Sequence, residues 1–230
     1  MDQKTGFLAL AAATAVLFVV AIWQVFLVAP VEAVMGVVQK IFYFHVSAAM
    51  MFFLAFTVTA AASIAYLVTR KARWDAVAAS SAESGVMLCA MVLVTGPLWG
   101  WPVWGTPWVW DDPQLMLTLG CFLIYVSYLI SRSLMGHDAA GRRLAAVLGI
   151  IGALTIPFIH YAVKLWGGHH PRVVREGGGG LSPDMKVAWI ISIVAFLGLY
   201  ILMTWSRTRL FLDEARVRML RTRLETEVES

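Results

Sequence analysis

Six apolar blocks dominate this chain, near residues 7–29, 42–69, 79–98, 114–133, 143–163 and 185–206, each with few or no charges. About 20 consecutive apolar residues in a helix cross a bilayer's hydrocarbon core, and a helix suits that medium because it satisfies its own backbone hydrogen bonds. The blocks predict an all-α integral membrane protein with six transmembrane helices and no sign of a separate soluble domain. Charge agrees, since only 14% of residues are Asp, Glu, Lys or Arg, where a soluble domain carries about 25%. The first block exceeds the about 7–15 apolar residues of a signal peptide, and no small-residue cleavage site follows it, so it is expected to remain as a span.

Orientation follows from the basic residues, which favour the cytoplasmic side. With the N-terminus inside, the inner segments hold 13 Lys and Arg against 5 outside. Both termini are therefore predicted to be cytoplasmic. The inner set ends in six arginines between Arg207 and Arg223. We divide the chain into a transmembrane unit, 1–206, and a charged cytoplasmic helix or tail, 207–230. In that tail Leu210, Val217, Leu220 and Leu224 share one face, and Glu214 precedes Arg218 by one helical turn. The tail reads either as a helix on the anionic inner leaflet or as a docking helix for a cytoplasmic partner. The basic residues cluster at membrane boundaries and do not point to nucleic acid.

The same orientation gathers chemistry on the outer face. Trp99, Trp101, Trp104, Trp108 and Trp110, followed by Asp111, fall in the connection between the third and fourth blocks. Five tryptophans in so short a stretch exceed what interfacial anchoring needs. They predict a broad apolar shelf for a large planar ligand in an outer loop. Gly96 and Pro97 predict that the third helix ends or bends just before it. His45, at the start of the second block, and His160, at the end of the fifth, converge on this face. Pro157 predicts a kink one turn before His160. The adjacent His169 and His170 read as solvent-exposed loop residues, and His137 as solvated on the inner side. Asp111 and Asp112 precede Pro113, a pattern suited to capping the fourth helix. Gly177–Gly180 predict a mobile outer loop, either a lid or an idle connection.

An imidazole binds metals through its neutral nitrogen, and haem iron accepts two axial ligands. His45 and His160 would both reach one iron only if the second and fifth helices face each other. Haem, a quinone and a substrate gate all remain open on these residues alone. There is no HExxH, no His–Cys cluster, no glycine-rich phosphate loop and no nucleophile–base arrangement, so zinc, ATP and hydrolytic chemistry find no support. Cys89 and Cys121 lie within apolar blocks without a CxxC or CxxCH pattern and read as buried core thiols.

Three stretches, in order, carry a resemblance: IFYFHVSAA (Ile41–Ala49), TGPLWGWPVWGTPWVWD (Thr95–Asp111) and PFIHYAVKLW (Pro157–Trp166). The middle one resembles the tryptophan-rich "WWD" segment, here 95–113, of the haem-handling membrane proteins of cytochrome c biogenesis. With the two histidine stretches, the length and the six spans, the chain resembles the haem exporter protein C (CcmC) family over all but its C-terminal tail. That resemblance implies a protein of the bacterial inner membrane that holds haem b transiently at the periplasmic face. It implies His45 and His160 as axial ligands. The tryptophans and Asp111 would form the platform for haem and the docking surface for its chaperone, CcmE. It implies further partners, the CcmA/CcmB transporter and CcmD, and a binding and transfer role rather than an enzyme. Two departures stand out: Pro107 replaces the first of two tryptophans common before the VWD, and Asp112–Pro113 stand where an arginine commonly follows. Lys164, Arg172 or Arg175 would then be left to meet the haem propionates. The rival readings are a subunit moving haem across the membrane and an assembly scaffold that binds no haem.

Overall fold

A computed structural model describes residues 3–135, 138–170 and 181–229. Helix α1 (Gln3–Trp23) runs on through a π-helical turn at Gln24–Val28, and a 3-10 turn at Val37–Lys40 leads into α2 (Ile41–Thr69). Then follow α3 (Ala72–Trp104), α4 (Pro113–Leu134), α5 (Ala139–Leu154), α6 (Ile156–Trp166) and α7 (Pro183–Glu229). Among the described residues six helical stretches are long and apolar enough to cross a membrane, with α5 and α6 together making one of them. Six crossings would place the first and last described residues on one side. They would also bring the start of α2, the end of α3, the start of α4, the end of α6 and the start of α7 to the other.

The break between α5 and α6 falls at Thr155, two residues before Pro157. Pro157 sits in the first turn of α6, where its missing N–H costs nothing, so the expected kink is realised as a new helix start. Of the end or bend expected in the third helix at Gly96–Pro97, the end is not realised: the helix continues through both Pro97 and Pro102 to Trp104. Proline is tolerated in spanning helices because neighbouring groups re-satisfy the freed carbonyls. The stop comes at Gly105, whose positive φ of 72° lets its N–H return to the Trp101 carbonyl at 2.9 Å. Trp99, Trp101 and Trp104 are thus helical, and the outer connection is shortened to Gly105–Asp112.

The core lies between α2, α3, α4 and α5, with Ile159 of α6 and Phe196 and Tyr200 of α7 packed into it. Phe56 and Tyr125 stack with ring centres 3.5 Å apart, and the Tyr125 hydroxyl donates to the Gly149 carbonyl at 2.8 Å. Cys89 and Cys121 are free and buried there, as the sequence predicts. Away from the histidines, Arg132 of α4 grips Asp75 of α3 with two hydrogen bonds of 2.6 and 3.0 Å. Arg207 of α7 pairs with Glu83 through bonds of 2.5 and 2.9 Å. Glu83 is thus an ion-pair partner whose side chain keeps 25% exposure. Helix α7 carries 47 residues without a break, or about 70 Å at 1.5 Å per residue. That length crosses a bilayer core of about 30 Å and projects well beyond it. No break in the helix marks the boundary expected at 206/207.

Candidate functional site

His45 lies one turn into α2 and is buried. Its Nδ1 is 2.8 Å from the Thr95 hydroxyl of α3, and its ring meets the edge of Trp99 with centres 5.9 Å apart. Trp99 is 2% exposed. It stands behind the histidine as packing rather than in front of it as a platform.

The short segment after α6 brings a second imidazole to the same place. Gly167 and Gly168 turn the chain with φ of 77° and 143°. Asp112, buried at the start of α4, then fixes the segment: its Oδ2 accepts the His169 N–H at 2.7 Å. Its Oδ1 caps α4 by accepting from Gln114 and Leu115 at 2.9 and 3.1 Å. Trp104 Nε1 adds a bond to the His169 carbonyl at 3.3 Å. His169 itself is exposed, as expected. His170 is not: it turns inward, its ring centre 6.5 Å from that of His45 and 6.4 Å from that of Trp99. Its Nδ1 is buried without a hydrogen-bond partner among the described residues. Burial holds the His170 imidazole below its ordinary pKa, opposed by the Asp112 carboxylate, so the neutral, ligating form is favoured.

Between these histidines opens a cavity of about 530 Å³, within the range of about 300–1,000 Å³ typical of ligand sites. Helix α2 supplies His45, Ala49 and Phe53; α3 supplies Leu93, Pro97 and Trp104; α4 supplies Gln114 and Thr118. His160 of α6, Trp189 of α7, Trp108 and His170 complete the wall. Among the described residues the lining holds no Asp, Glu, Lys or Arg. It offers apolar surface, imidazoles and neutral donors, among them Trp108 Nε1, buried with no partner among the described residues.

The residues singled out by sequence separate here. His45 and His160 share the cavity; His160 is exposed at its wall, edge-on to Tyr161 with ring centres 4.8 Å apart. The five tryptophans do not form one shelf. Trp104 and Trp108 line the cavity and Trp99 lies behind His45, while Trp101 and Trp110 are 57% and 71% exposed. A helix end radiates side chains in all directions, and three of the five stand on one. Asp111 is exposed and off the cavity; the neighbouring Asp112 holds the structural role. Lys164 is exposed and also off the lining. His137, Arg172, Arg175 and Gly177–Gly180 fall outside the described residues. The missed residue is His170. Its local signal was the Gly167–Gly168 pair, which allows a sharp turn before adjacent histidines whose side chains must diverge.

Fold and site together define a polytopic helical membrane protein with a histidine-lined apolar cavity at one end of its bundle. Residues 3–223 match the family described as "Heme exporter protein C", and the chain belongs to that family. Among its relatives, the "Heme exporter protein C" of Bradyrhizobium diazoefficiens is 33% identical over 92% of this chain and 80% of its own length. That of Rhodobacter capsulatus is 30% identical over 88% and 84%, respectively. A "Putative cytochrome c biosynthesis ccmC-like mitochondrial protein" of Marchantia polymorpha is 30% identical over 80% of this chain and 76% of its own.

Proposed function

We propose that this chain binds haem b in the cavity between His45 and His170, at the outer face of the bacterial inner membrane. From there it promotes transfer of the haem to the chaperone CcmE during maturation of c-type cytochromes. The observation that carries this reading is the 6.5 Å separation of the two rings across an apolar cavity. An iron bonded to one nitrogen of each imidazole at about 2 Å places their ring centres about 6 Å apart. The buried Nδ1 of His170, unpartnered among the described residues, also has the character of a nitrogen awaiting a ligand. The relatives' names support haem as the cargo and cytochrome c biosynthesis as the pathway.

In this reading the cavity walls bind the porphyrin by excluding water from it, while the imidazoles fix its orientation. His160, the sequence's candidate partner for His45, stands at the wall as a ligand for arriving or departing haem. Trp101 and Trp110, outward and exposed, present the docking surface for the chaperone. Lys164, Arg172 or Arg175 supplies positive charge for the propionates. Both termini lie in the cytoplasm, by the distribution of Lys and Arg. CcmA/CcmB and CcmD are the further partners, and the chain acts as a binding and transfer protein rather than an enzyme.

The test is an absorption titration of the purified protein with haem, comparing wild type with His45→Ala, His160→Ala and His170→Ala. The expected result is a six-coordinate spectrum in wild type that persists in His160→Ala and is lost in the other two. Loss in His45→Ala and His160→Ala, with His170→Ala unchanged, would transfer the second ligand to His160. Unchanged spectra in all three variants would overturn histidine ligation.

A further inference from the structure

The cavity must present a lone pair to iron, and which nitrogen of His45 carries it is decided outside the cavity. We propose that Thr95 is a positioning residue that fixes the His45 tautomer and tunes its strength as a ligand; this rests on the haem-binding reading above.

The argument is a proton count. A threonine hydroxyl has one hydrogen to donate. Thr95 Oγ1 spends it on the Met91 carbonyl one turn earlier, at 2.7 Å. Such back-bonding to the i−4 carbonyl is a common resting place for a helical hydroxyl. Towards His45 Nδ1, at 2.8 Å, the same oxygen can then only accept. Nδ1 therefore carries the hydrogen. A neutral imidazole has a single N–H, so Nε2 is left with the lone pair.

Helix α3 completes the socket around the ring. A β-carbon built on Gly96 would stand 3.4 Å from His45 Cε1, so the backbone of α3 passes close along that flank. Trp99 closes another edge. One turn, Thr95 to Trp99, thus holds the imidazole by its Nδ1 side, and the ring borders the cavity with what remains. An accepted Nδ1–H also makes the ring a stronger donor, as hydrogen bonds behind metal-bound histidines generally do. Stronger donation favours ferric over ferrous iron. Thr95 thereby influences how firmly the cargo is held in each oxidation state.

The first measurement needs no haem: solid-state ¹⁵N NMR of the histidine-labelled full-length protein in lipid, with His45→Ala identifying the His45 signals. The expected result is the Nδ1–H tautomer in wild type, with redistribution towards Nε2–H in Thr95→Val and recovery in Thr95→Ser. A wild-type Nε2–H tautomer overturns the proposal, and that result stands even if Thr95→Val does not fold. The second measurement is haem affinity and midpoint potential. Thr95→Val should weaken ferric haem binding by about 10-fold or more. A tenfold loss confined to the ferric state raises the potential by about 59 mV. Thr95→Ser should restore both. Wild-type affinity and potential in Thr95→Val, alongside a haem-binding wild type and a defective His45→Ala, would overturn this inference alone. A wild type that binds no haem would instead sink the functional reading and leave the tautomer result to decide the role of Thr95.

Discussion

The two carboxylate oxygens of Asp112 serve different masters: one caps α4, and the other accepts the backbone N–H of His169 at 2.7 Å, 57 residues further along the chain. Because of that second bond, His170 faces His45. A surface segment carrying two histidines becomes one wall of a cavity through a single buried acceptor. The position of the second imidazole is therefore a tertiary property, set by the start of α4 rather than by the segment that bears it.

Asp112→Asn is expected to separate these duties. The amide keeps one oxygen to cap α4 and turns its NH₂ towards the His169 N–H, where two donors oppose. A hydrogen bond to a charged group is worth about 1.5–3 kcal/mol, so haem affinity should fall about 10-fold or more. Thermal stability should change less, since the cap survives. Asp112→Ala removes all three bonds and should lose a further ~1 kcal/mol of stability through the cap. Titration with haem and thermal denaturation of both variants in detergent test this. Equal stability losses, or intact haem affinity in Asp112→Asn, would contradict it.

Gly168→Ala probes the same anchor from the other side. Its φ of 143° lies where L-residues rarely go, and an added β-carbon would stand 2.8 Å from Asp112 Oδ2. Strain of about 1–3 kcal/mol is expected, relieved by withdrawal of the His169–His170 segment. The spectrum of bound haem should change from six-coordinate towards five-coordinate, with the helical content unaltered. A wild-type spectrum would show that the segment is not held where Asp112 places it.

How much of this was legible in the sequence depends on the range of the interactions. The six spans follow from hydropathy alone, and the break near Pro157 from the local chemistry of proline. The extension of α3 through Pro97 and Pro102 was not legible, because proline reads as a breaker unless neighbouring helices are known to support it. That extension also explains the tryptophans: a spacing that reads as a flat shelf on a loop becomes, on a helix end, residues facing several ways. His45 was identifiable as an imidazole at the right depth. His170 was not, since its burial depends on Asp112, and a sequence does not show which acidic residue caps a helix and which also reaches across.

The ion pair of Asp75 and Arg132 offers a contrast between stability and site. It lies among α3, α4 and α5, and Arg142 adds a second cation 3.8 Å from the same carboxylate. Both side chains are largely buried, at 12% and 14% exposure, so removing one partner strands the other at a cost of about 3–5 kcal/mol. Asp75→Asn should lower the thermal midpoint and the yield of folded protein. Haem affinity per folded molecule should match wild type, because neither residue lines the cavity. A haem defect in the folded fraction would reveal coupling between the two ends of the bundle.

Under the proposed function, the tryptophans allow the sharpest division between holding haem and handing it on. Trp104 and Trp108 face the cavity, whereas Trp101 and Trp110 are exposed beside it. Replacing Trp108 with Phe removes an indole N–H that has no partner among the described residues and trims the wall. Trp104→Phe also removes the bond to the His169 carbonyl. Loss of that bond costs about 1 kcal/mol, so Trp104→Phe should weaken haem binding several-fold, and Trp108→Phe should weaken it through the apolar contact area it gives up at the wall. Trp101→Ala and Trp110→Ala should leave haem affinity unchanged and slow transfer to purified CcmE instead, because exposed aromatic side chains are the usual anchors of protein interfaces. Affinity by titration and transfer rate by stopped-flow absorption measure the two effects separately. If all four variants lose affinity alike, the tryptophans act as one surface, as their sequence spacing first implied. If none affects transfer, the chaperone docks elsewhere on the outer face.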